Sequence, residues 1–548
     1  MTEMTSDEIR DTVGNAFLKA NIAVADIAVR SFPGEVIVVV EVEASNFSSA
    51  LSVASDLDSV IPNGFVTVRK AQQNRKKAAH SRAQSLVDPR VSEFIELLNS
   101  RSRTSEQQPS LKYIPDAAQT ANIAMSRRHH LIFGRRGVGK TALMLEAKSR
   151  LEGRGAMTFW INIQTLRSLS AIDAFLTTAI RLCDLPESMH LNRLKKPVSV
   201  ANAASLKDRI AEMLRSRRID ITRVNLLLPE LQQLFHLLGE ETQADLYLFF
   251  DDFHYLPIAE QPRYLDMIHS ITRDNPVWIK AASIRHQSRW FTDNPPTGLQ
   301  TGHDASIINL DITLEQPAKA KEFLSSVVNS YADEAKLASI IGVISGSALD
   351  RLVLASGGVP RDFLVLSGTA IQVARERPNA KEARVQDVNE AAGRMAQIKL
   401  QELEDDAASS SGKAEARVET LKRLRSYLLE ERQITYFRID FRDKEAHPRE
   451  YELMQSLMDL RLFHLINAGL SDEREAGRRS EVYMLDLSQF SGTRFKRNLK
   501  VLDFTKNHLV LKSTGGSASP RAGDTPKRLL AILRRGPSFN LSRLEDLT

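Results

Sequence analysis

The sequence predicts an α/β protein: a parallel sheet core with helical cover, an all-helical segment after it, and smaller units at both ends. Three observations predict this. An apolar run at residues 131–133 leads into a glycine-rich turn and then helix-forming text. Four more apolar runs, at 156–163, 244–250, 277–283 and 306–313, alternate with helical stretches. From residue 316 to 405 the periodicity is helical throughout. Strands that alternate with helices form parallel sheets buried on both faces.

Size and composition set the frame. The chain has 548 residues, 42% hydrophobic and 26% charged. At about 150 residues per domain that is three or four domains. A single cysteine, Cys183, excludes an internal disulfide framework and fits a reducing compartment. The opening MTEMTSDEIRD is too acidic for a secretory leader, and the longest apolar runs are too short to span a bilayer. A cytoplasmic protein without membrane contact is expected.

The formal charge of +6 is unevenly spread. Residues 69–90 carry seven Lys/Arg against one Asp, and residues 491–548 twelve against four acids. The remainder is therefore acidic. Basic segments on an acidic body suit polyanion contact, or serve as solvated linkers.

Taken in order, residues 1–70 read α-β-β-α-β, with Pro33-Gly34 splitting two strands. This small α/β unit carries no catalytic pairing and is expected to dock or assemble. Residues 71–112 are a basic linker and a helix near 91–99. Residues 113–315 are the α/β core, in which Tyr113 or Ile114 is positioned to cover a base. Residues 316–405 form a helical lid. A polar boundary, DDAASSSGK, follows. Residues 414–490 then read helix, short strand, a helix opened by Pro448, and two strands around the charged loop SDEREAGRRSE, the outline of a winged helix. Residues 491–548 form a basic tail. The stretch from Ser513 reads as disordered, and residues 527–535 (KRLLAILRR) as an amphipathic piece that folds on a partner.

Chemistry concentrates at four places. Gly134-Arg135-Arg136-Gly137-Val138-Gly139-Lys140-Thr141 fits G-x-x-x-x-G-K-[ST], the P-loop. Its glycines let successive N–H groups converge on one anion. Lys140 reaches the β- and γ-phosphates, Thr141 offers a hydroxyl to Mg²⁺, and the helix running on through Ala142 aims its positive end at the phosphates. Second, Asp251-Asp252 end an apolar strand: Asp251 suits Mg²⁺ and Asp252 suits orienting or deprotonating the attacking water. Third, Arg285, with Ser283 as the alternative, is placed to sense a γ-phosphate. Fourth, Ser356-Gly357-Gly358-Val359-Pro360-Arg361 opens a lid helix. Pro360 is set to pack on base or sugar, and Arg361 to project at the phosphates.

Together these four elements resemble the AAA+ and STAND ATPases, and more closely the origin-recognition-type initiator ATPases and their prokaryotic relatives. The resemblance spans roughly residues 110–490. It implies ATP and Mg²⁺ as cofactors, a lid that senses nucleotide, homo-oligomers, and DNA contact through the winged helix. Two features depart from it. Asp252 stands where many AAA+ ATPases have Glu, which points to slow turnover. No trans-acting arginine finger is identifiable, with Arg273 and Arg289 both candidates. The expected recognition helix is acidic, with Glu450, Glu452 and Asp459 against Arg449, and suits phosphates poorly. Wing residues Arg478 and Arg479, and Arg494, Lys496, Arg497 and Lys500 of the tail, are better phosphate contacts.

The expected function is an ATP-dependent switch that couples lid movement to DNA engagement, in DNA processing or anti-phage defence. The alternative is a STAND-type signalling scaffold that oligomerises and recruits a separately encoded effector.

Overall fold

The computed structural model describes residues 5–547 except 21, 33–34, 43–45, 59, 62–63, 71–82, 84, 101–112, 116–119, 190–196, 217–218, 409–412, 473–474, 476, 492–498, 506–507 and 514–525. The N-terminal unit runs α1 (Ser6–Lys19), β1 (Val24–Phe32), β2 (Glu35–Val42), α2 (Phe47–Leu57), β3 (Gly64–Lys70). Thr5 caps α1 in a reciprocal capping box with Glu8. Its apolar stripe, Ile9, Val13 and Phe17, is buried. Strand β2 pairs antiparallel with β1 and parallel with β3. Arg30 ties this unit to the next helix, α3 (Pro89–Ser100), through Glu93 at 2.7 Å.

The core follows with α4 (Thr120–Ala124), β4 (His129–Phe133), α5 (Lys140–Glu152), β5 (Met157–Asn162), α6 (Ala171–Leu182), α7 (Leu185–Met189), α8 (Val198–Arg215), α9 (Ile221–Thr242), β6 (Leu246–Asp251), α10 (Gln261–Thr272), β7 (Val277–Ser283), a small hairpin β8 (Phe291–Asp293) and β9 (Pro296–Gly298), and β10 (Ala305–Asn309). Five strands form one parallel sheet in the order β10-β4-β7-β6-β5. Alternation sends Leu246, Leu248 and Phe250 into one apolar layer and Tyr247 and Phe249 into the other. Both faces are covered, which is why the strands read as near-continuous apolar runs. Complete burial of Phe249 and Phe250 stabilises the sheet by about 2 kcal/mol each.

The lid comprises α11 (Pro317–Glu334), α12 (Gly346–Ala355), α13 (Pro360–Arg375) and α14 (Val385–Ala408). Helix α3, read from sequence as part of the linker, belongs to the lid's core: Val91, Phe94, Ile95 and Leu98 bury against it. The C-terminal unit runs α15 (Lys413–Arg425), β11 (Tyr436–Asp440), α16 (Phe441–Ala446), α17 (Pro448–Asp459), β12 (Phe463–Ser471) and β13 (Arg479–Leu485), with sheet order β11-β13-β12. This is the winged-helix outline.

Of the last 58 residues, the stretch 514–525 read as disordered lies outside the described residues, and the parts on either side of it are folded. A hairpin, β14 (Lys500–Thr505) and β15 (His508–Ser513), packs on the lid, with Arg351 3.3 Å from Asp503. The amphipathic piece, α18 (Pro526–Arg534), folds on its own chain rather than waiting for a partner: Tyr436 Oη donates to Ile532 O, and Leu533 is buried. Phe539, Leu541 and Leu544 then join the same core, fully buried. Among the described residues, no helix is long and apolar enough to cross a membrane.

Candidate nucleotide site

The site gathers at the carboxyl edge of the sheet, where a parallel α/β sheet presents its loops. Register places Asn162 beside Asp251, and Phe133 beside Ser283. The loop 134–139 leaves β4 at this edge. Gly137 and Gly139 adopt φ of +83° and +100°, a region that favours glycine. A Cβ on Gly134 would sit 2.6 Å from Val138 Cγ2, so the turn is too tight for a side chain there. Helix α5 begins at Lys140, and its first turn, with Thr141 and Ala142, ends on the loop.

Lys140 is buried and donates from Nζ to Gly134 O at 2.7 Å and Arg135 O at 3.1 Å. Burial pushes its ammonium below the ordinary lysine range, opposed by the charges of Asp252, Asp251, Asp311 and Asp459. Thr141 Oγ1 donates to Asp251 Oδ2 at 2.9 Å, and Asp251 Oδ1 accepts from Asp252 N at 3.0 Å. Burial, then the like charge of Asp252, raises Asp251 well above the usual carboxylate range. Asp252 is raised by burial too, held back by Lys140 and Arg136 and by a hydrogen bond from Asn162. Its φ of +55° turns it out of the strand.

The donor set fits Mg²⁺. A hydroxyl and a carboxylate oxygen stand together beside a desolvated acid pair that a cation relieves. Mg²⁺ commonly takes one or two protein oxygens and fills its shell from phosphate and water. Thr141 and Asp251 would hold it. Among the described residues there is no cluster of three or more His, Cys, Asp or Glu that could cage a metal.

The lid meets the loop directly. Arg361 N–H donates to Gly137 O at 3.2 Å. A Cβ on Gly137 would lie 2.8 Å from Arg361 Cβ and 3.3 Å from its Cδ, so the Arg361 stem runs over the loop. Pro360 occupies the first turn of α13, half-buried. Arg285 is exposed, at the start of a single turn after β7, its guanidinium 5.9 Å from the centre of the Phe133 ring. Ser283 is buried and bonded to Ser288. Tyr113 packs on the α4–α5 cluster. Arg273 and Arg289 are both exposed.

Arg135 differs from its sequence reading. Its backbone belongs to the loop, but its guanidinium runs to the lid junction. Nε lies 3.2 Å from Asp311 Oδ1, and an NH2 group donates to Ile312 O at 2.9 Å and Gly357 O at 3.2 Å. Arg136 stays at the mouth, its charge acting on Asp252 and His254.

Several site residues escaped the sequence reading. Asn162 needed the strand order to place it beside the acidic pair. His254, two residues past Asp252, is kept neutral by burial and then by Lys140 and Arg136. The third group joins lid and C-terminal unit. Lys399 Nζ lies 3.1 Å from Asp486 and 3.6 Å from Asp362; Arg461 Nε lies 3.1 Å from Asp362; His464 Nε2 lies 2.6 Å from Asp486. All five are buried. Asp362 follows Arg361 in sequence, so this network starts one residue from the phosphate loop.

The wing fares differently. Arg478 pairs with Asp440 and Glu475, and Arg442 pairs with Glu475. Residues 492–498, with Arg494, Lys496 and Arg497, lie outside the described residues. Lys500 is exposed, at the start of β14. On α17, Arg449 and Glu452 are exposed, whereas Glu450 and Asp459 are buried. Part of the acidity that opposed DNA contact is therefore turned inward.

The five-stranded parallel sheet, the P-loop against a helical lid and the acidic strand end define a P-loop nucleotide-binding fold. No family model and no curated protein matches the chain. Among solved structures it is similar to the Orc1 protein of Aeropyrum pernix in complex with DNA, at 15% identity over 72% of this chain and 93% of that one, TM-score 0.36. It is also similar to the Walker-type ATPase PABY2304 of Pyrococcus abyssi, at 13% identity over 76% and 97%, TM-score 0.39. A third is the RuvB Holliday junction branch migration motor of Thermotoga maritima, at 13% over 50% and 65%, TM-score 0.27.

Proposed function

We propose that this chain is an ATP-dependent switch that binds Mg-ATP between core and lid, hydrolyses it slowly, and moves its C-terminal unit with the lid. One observation carries the reading: the P-loop touches the acidic strand end through Thr141–Asp251 and the lid through Gly137–Arg361. A triphosphate held by the loop amides and Lys140 lies between the two. Asp252, held by Asn162, orients or deprotonates water; Arg361 and Arg285 supply positive charge where phosphate charge develops. Mg²⁺ supplies charge neutralisation at the phosphates when bound. Asp252 in place of the longer Glu supports slow turnover.

The output is DNA engagement, in DNA processing or anti-phage defence, through the exposed basic residues of wing and tail. A second reading, a signalling ATPase that oligomerises and recruits a separate effector, is favoured by two observations: wing arginine Arg478 is paired within the unit, and the end of α17 is buried on the core. The test is ATPase rate and molecular size of the purified protein with and without duplex DNA over a salt series. DNA stimulation that fades steeply with salt supports the first reading. DNA-indifferent turnover with ATP-driven oligomers supports the second. Absence of ATP binding removes both.

A further inference from the structure

The C-terminal unit reaches the turn that follows β7 through one residue, Asp459. Asp459 closes α17, and its carboxylate is almost completely buried. A carboxylate at a helix C-terminus faces the negative end of the helix dipole, so this position disfavours it without partners. Its partners come from the core. Gln287 Nε2 donates to Asp459 Oδ2 at 2.9 Å, and His286 Nε2 lies 2.6 Å from the same oxygen.

Both residues belong to the single turn, Arg285–Gln287, that follows β7. The other side of that turn is clamped from within the core. Gln261, fully buried, donates to Gln287 O at 3.1 Å and accepts from Arg289 N at 2.7 Å. The turn that carries Arg285 is thus gripped between Gln261 and Asp459. The Asp459 charge also acts on the Lys140 ammonium, which puts it within electrostatic reach of the phosphate loop.

We infer that Asp459 is a positioning residue for nucleotide turnover: from the C-terminal unit it fixes the Arg285–Gln287 turn, and with it the place of Arg285 relative to the phosphates. This rests on the ATPase reading above. It makes turnover depend on a docked C-terminal unit, although Asp459 lies more than 300 residues from the P-loop in sequence. A displaced positioning group costs turnover rather than affinity, because the loop amides and Lys140 still hold the nucleotide.

The experiment measures kcat and KM for ATP, and ATP affinity by fluorescent-analogue titration, on full-length wild type, Asp459→Ala, Asp459→Asn and His286→Ala. Hydrogen exchange of residues 284–290 is followed in each. The expected result is a kcat about tenfold lower in Asp459→Ala with KM within about twofold. His286→Ala should shift the same way. Asp459→Asn, which keeps an acceptor for Gln287, should recover most of the rate. Exchange at 284–290 should rise only in the variants that slow turnover. A wild-type kcat in Asp459→Ala overturns the inference. So does a loss shared equally by kcat, affinity and the Asn variant, since that is general destabilisation. Failure of wild type to bind ATP overturns the ATPase reading itself, and this inference with it.

Discussion

Gly357→Ala tests whether the lid and the C-terminal unit are joined as one body. Gly357 has φ of +59°, and a Cβ added there would lie 2.0 Å from His464 Nδ1 and 2.4 Å from two ring carbons. The ring must move. It is fully buried and held to Asp486, which also faces Lys399. Holding alanine in the left-handed region costs about 1 kcal/mol. Displacing His464 from a buried pair adds about 3 kcal/mol, the low end for breaking such a pair. The junction should weaken by about 4 kcal/mol, close to a thousandfold in its opening equilibrium. Hydrogen exchange at residues 461–466 and 484–489 reads this directly, because local opening is measured without assuming that a multidomain chain unfolds in one step. His464→Ala in the same background makes room for the new methyl. The two changes should then be strongly non-additive, with the double variant no worse than His464→Ala plus the backbone cost. Wild-type exchange in Gly357→Ala, or simple additivity, would refute the packing argument.

Three further outcomes are expected. Lys140→Ala should weaken ATP binding at least about hundredfold in calorimetric titration, from the loss of two or three charge-assisted bonds to phosphate. Asp252→Asn should keep ATP affinity and lower kcat about hundredfold or more, the range of a lost general base; a normal rate would reassign the base. Acid should destabilise the fold through two buried histidines, above the range where ordinary carboxylates titrate. Burial, the largest cause, lowers His129 to about 4 and His130 to about 3, with Lys280 adding to both. The unfolded chain takes up those protons below its ordinary pKa of about 6.5 and the folded chain does not, so stability is present above that pH and lost as pH falls. At pH 5 each costs about 2 kcal/mol relative to pH 7.5, read as a lower urea midpoint; an unchanged midpoint would contradict the neutral, buried assignment.

The P-loop was legible because its chemistry is contiguous: eight neighbouring residues carry strand end, turn, lysine and hydroxyl. The five core strands were legible because burial on both faces leaves mostly apolar text, broken by few polar residues such as Lys280. Contacts between distant segments were not. Asn162 reads as an ordinary strand end until β5 is placed beside β6. Arg135 reads as one of the nucleotide-binding loop residues, because its partner Asp311 is 176 positions away and invisible to a local motif. The tail misled for another reason. Phe539, Leu541 and Leu544 are few and scattered among charged and turn residues, so composition outweighed them, yet all three are fully buried. Likewise α3 showed an apolar stripe with no sign of which neighbour would cover it.

The acidity of α17, a difficulty for a DNA-reading helix, has a physical origin in the fold. Glu450 and Asp459 are buried, and Asp459 meets His286 and Gln287 of the core. The helix that a winged unit would offer to a groove is committed at its far end to the turn after β7. In the proposed switch this ties output to input by two routes. One runs from Asp362, the sequence neighbour of Arg361, through Lys399 and Asp486 to His464, along buried side chains from lid to C-terminal unit. The other runs Arg285, His286, Asp459, from the strand end straight to α17. A lid rotation that keeps the first intact must strain or break the second, because the lid and the core hold the C-terminal unit at different points. In the proposed switch, lid movement therefore requires α17 to undock from the Arg285–Gln287 turn. In that proposal, release of Asp459 is the step that carries nucleotide state to the C-terminal surface.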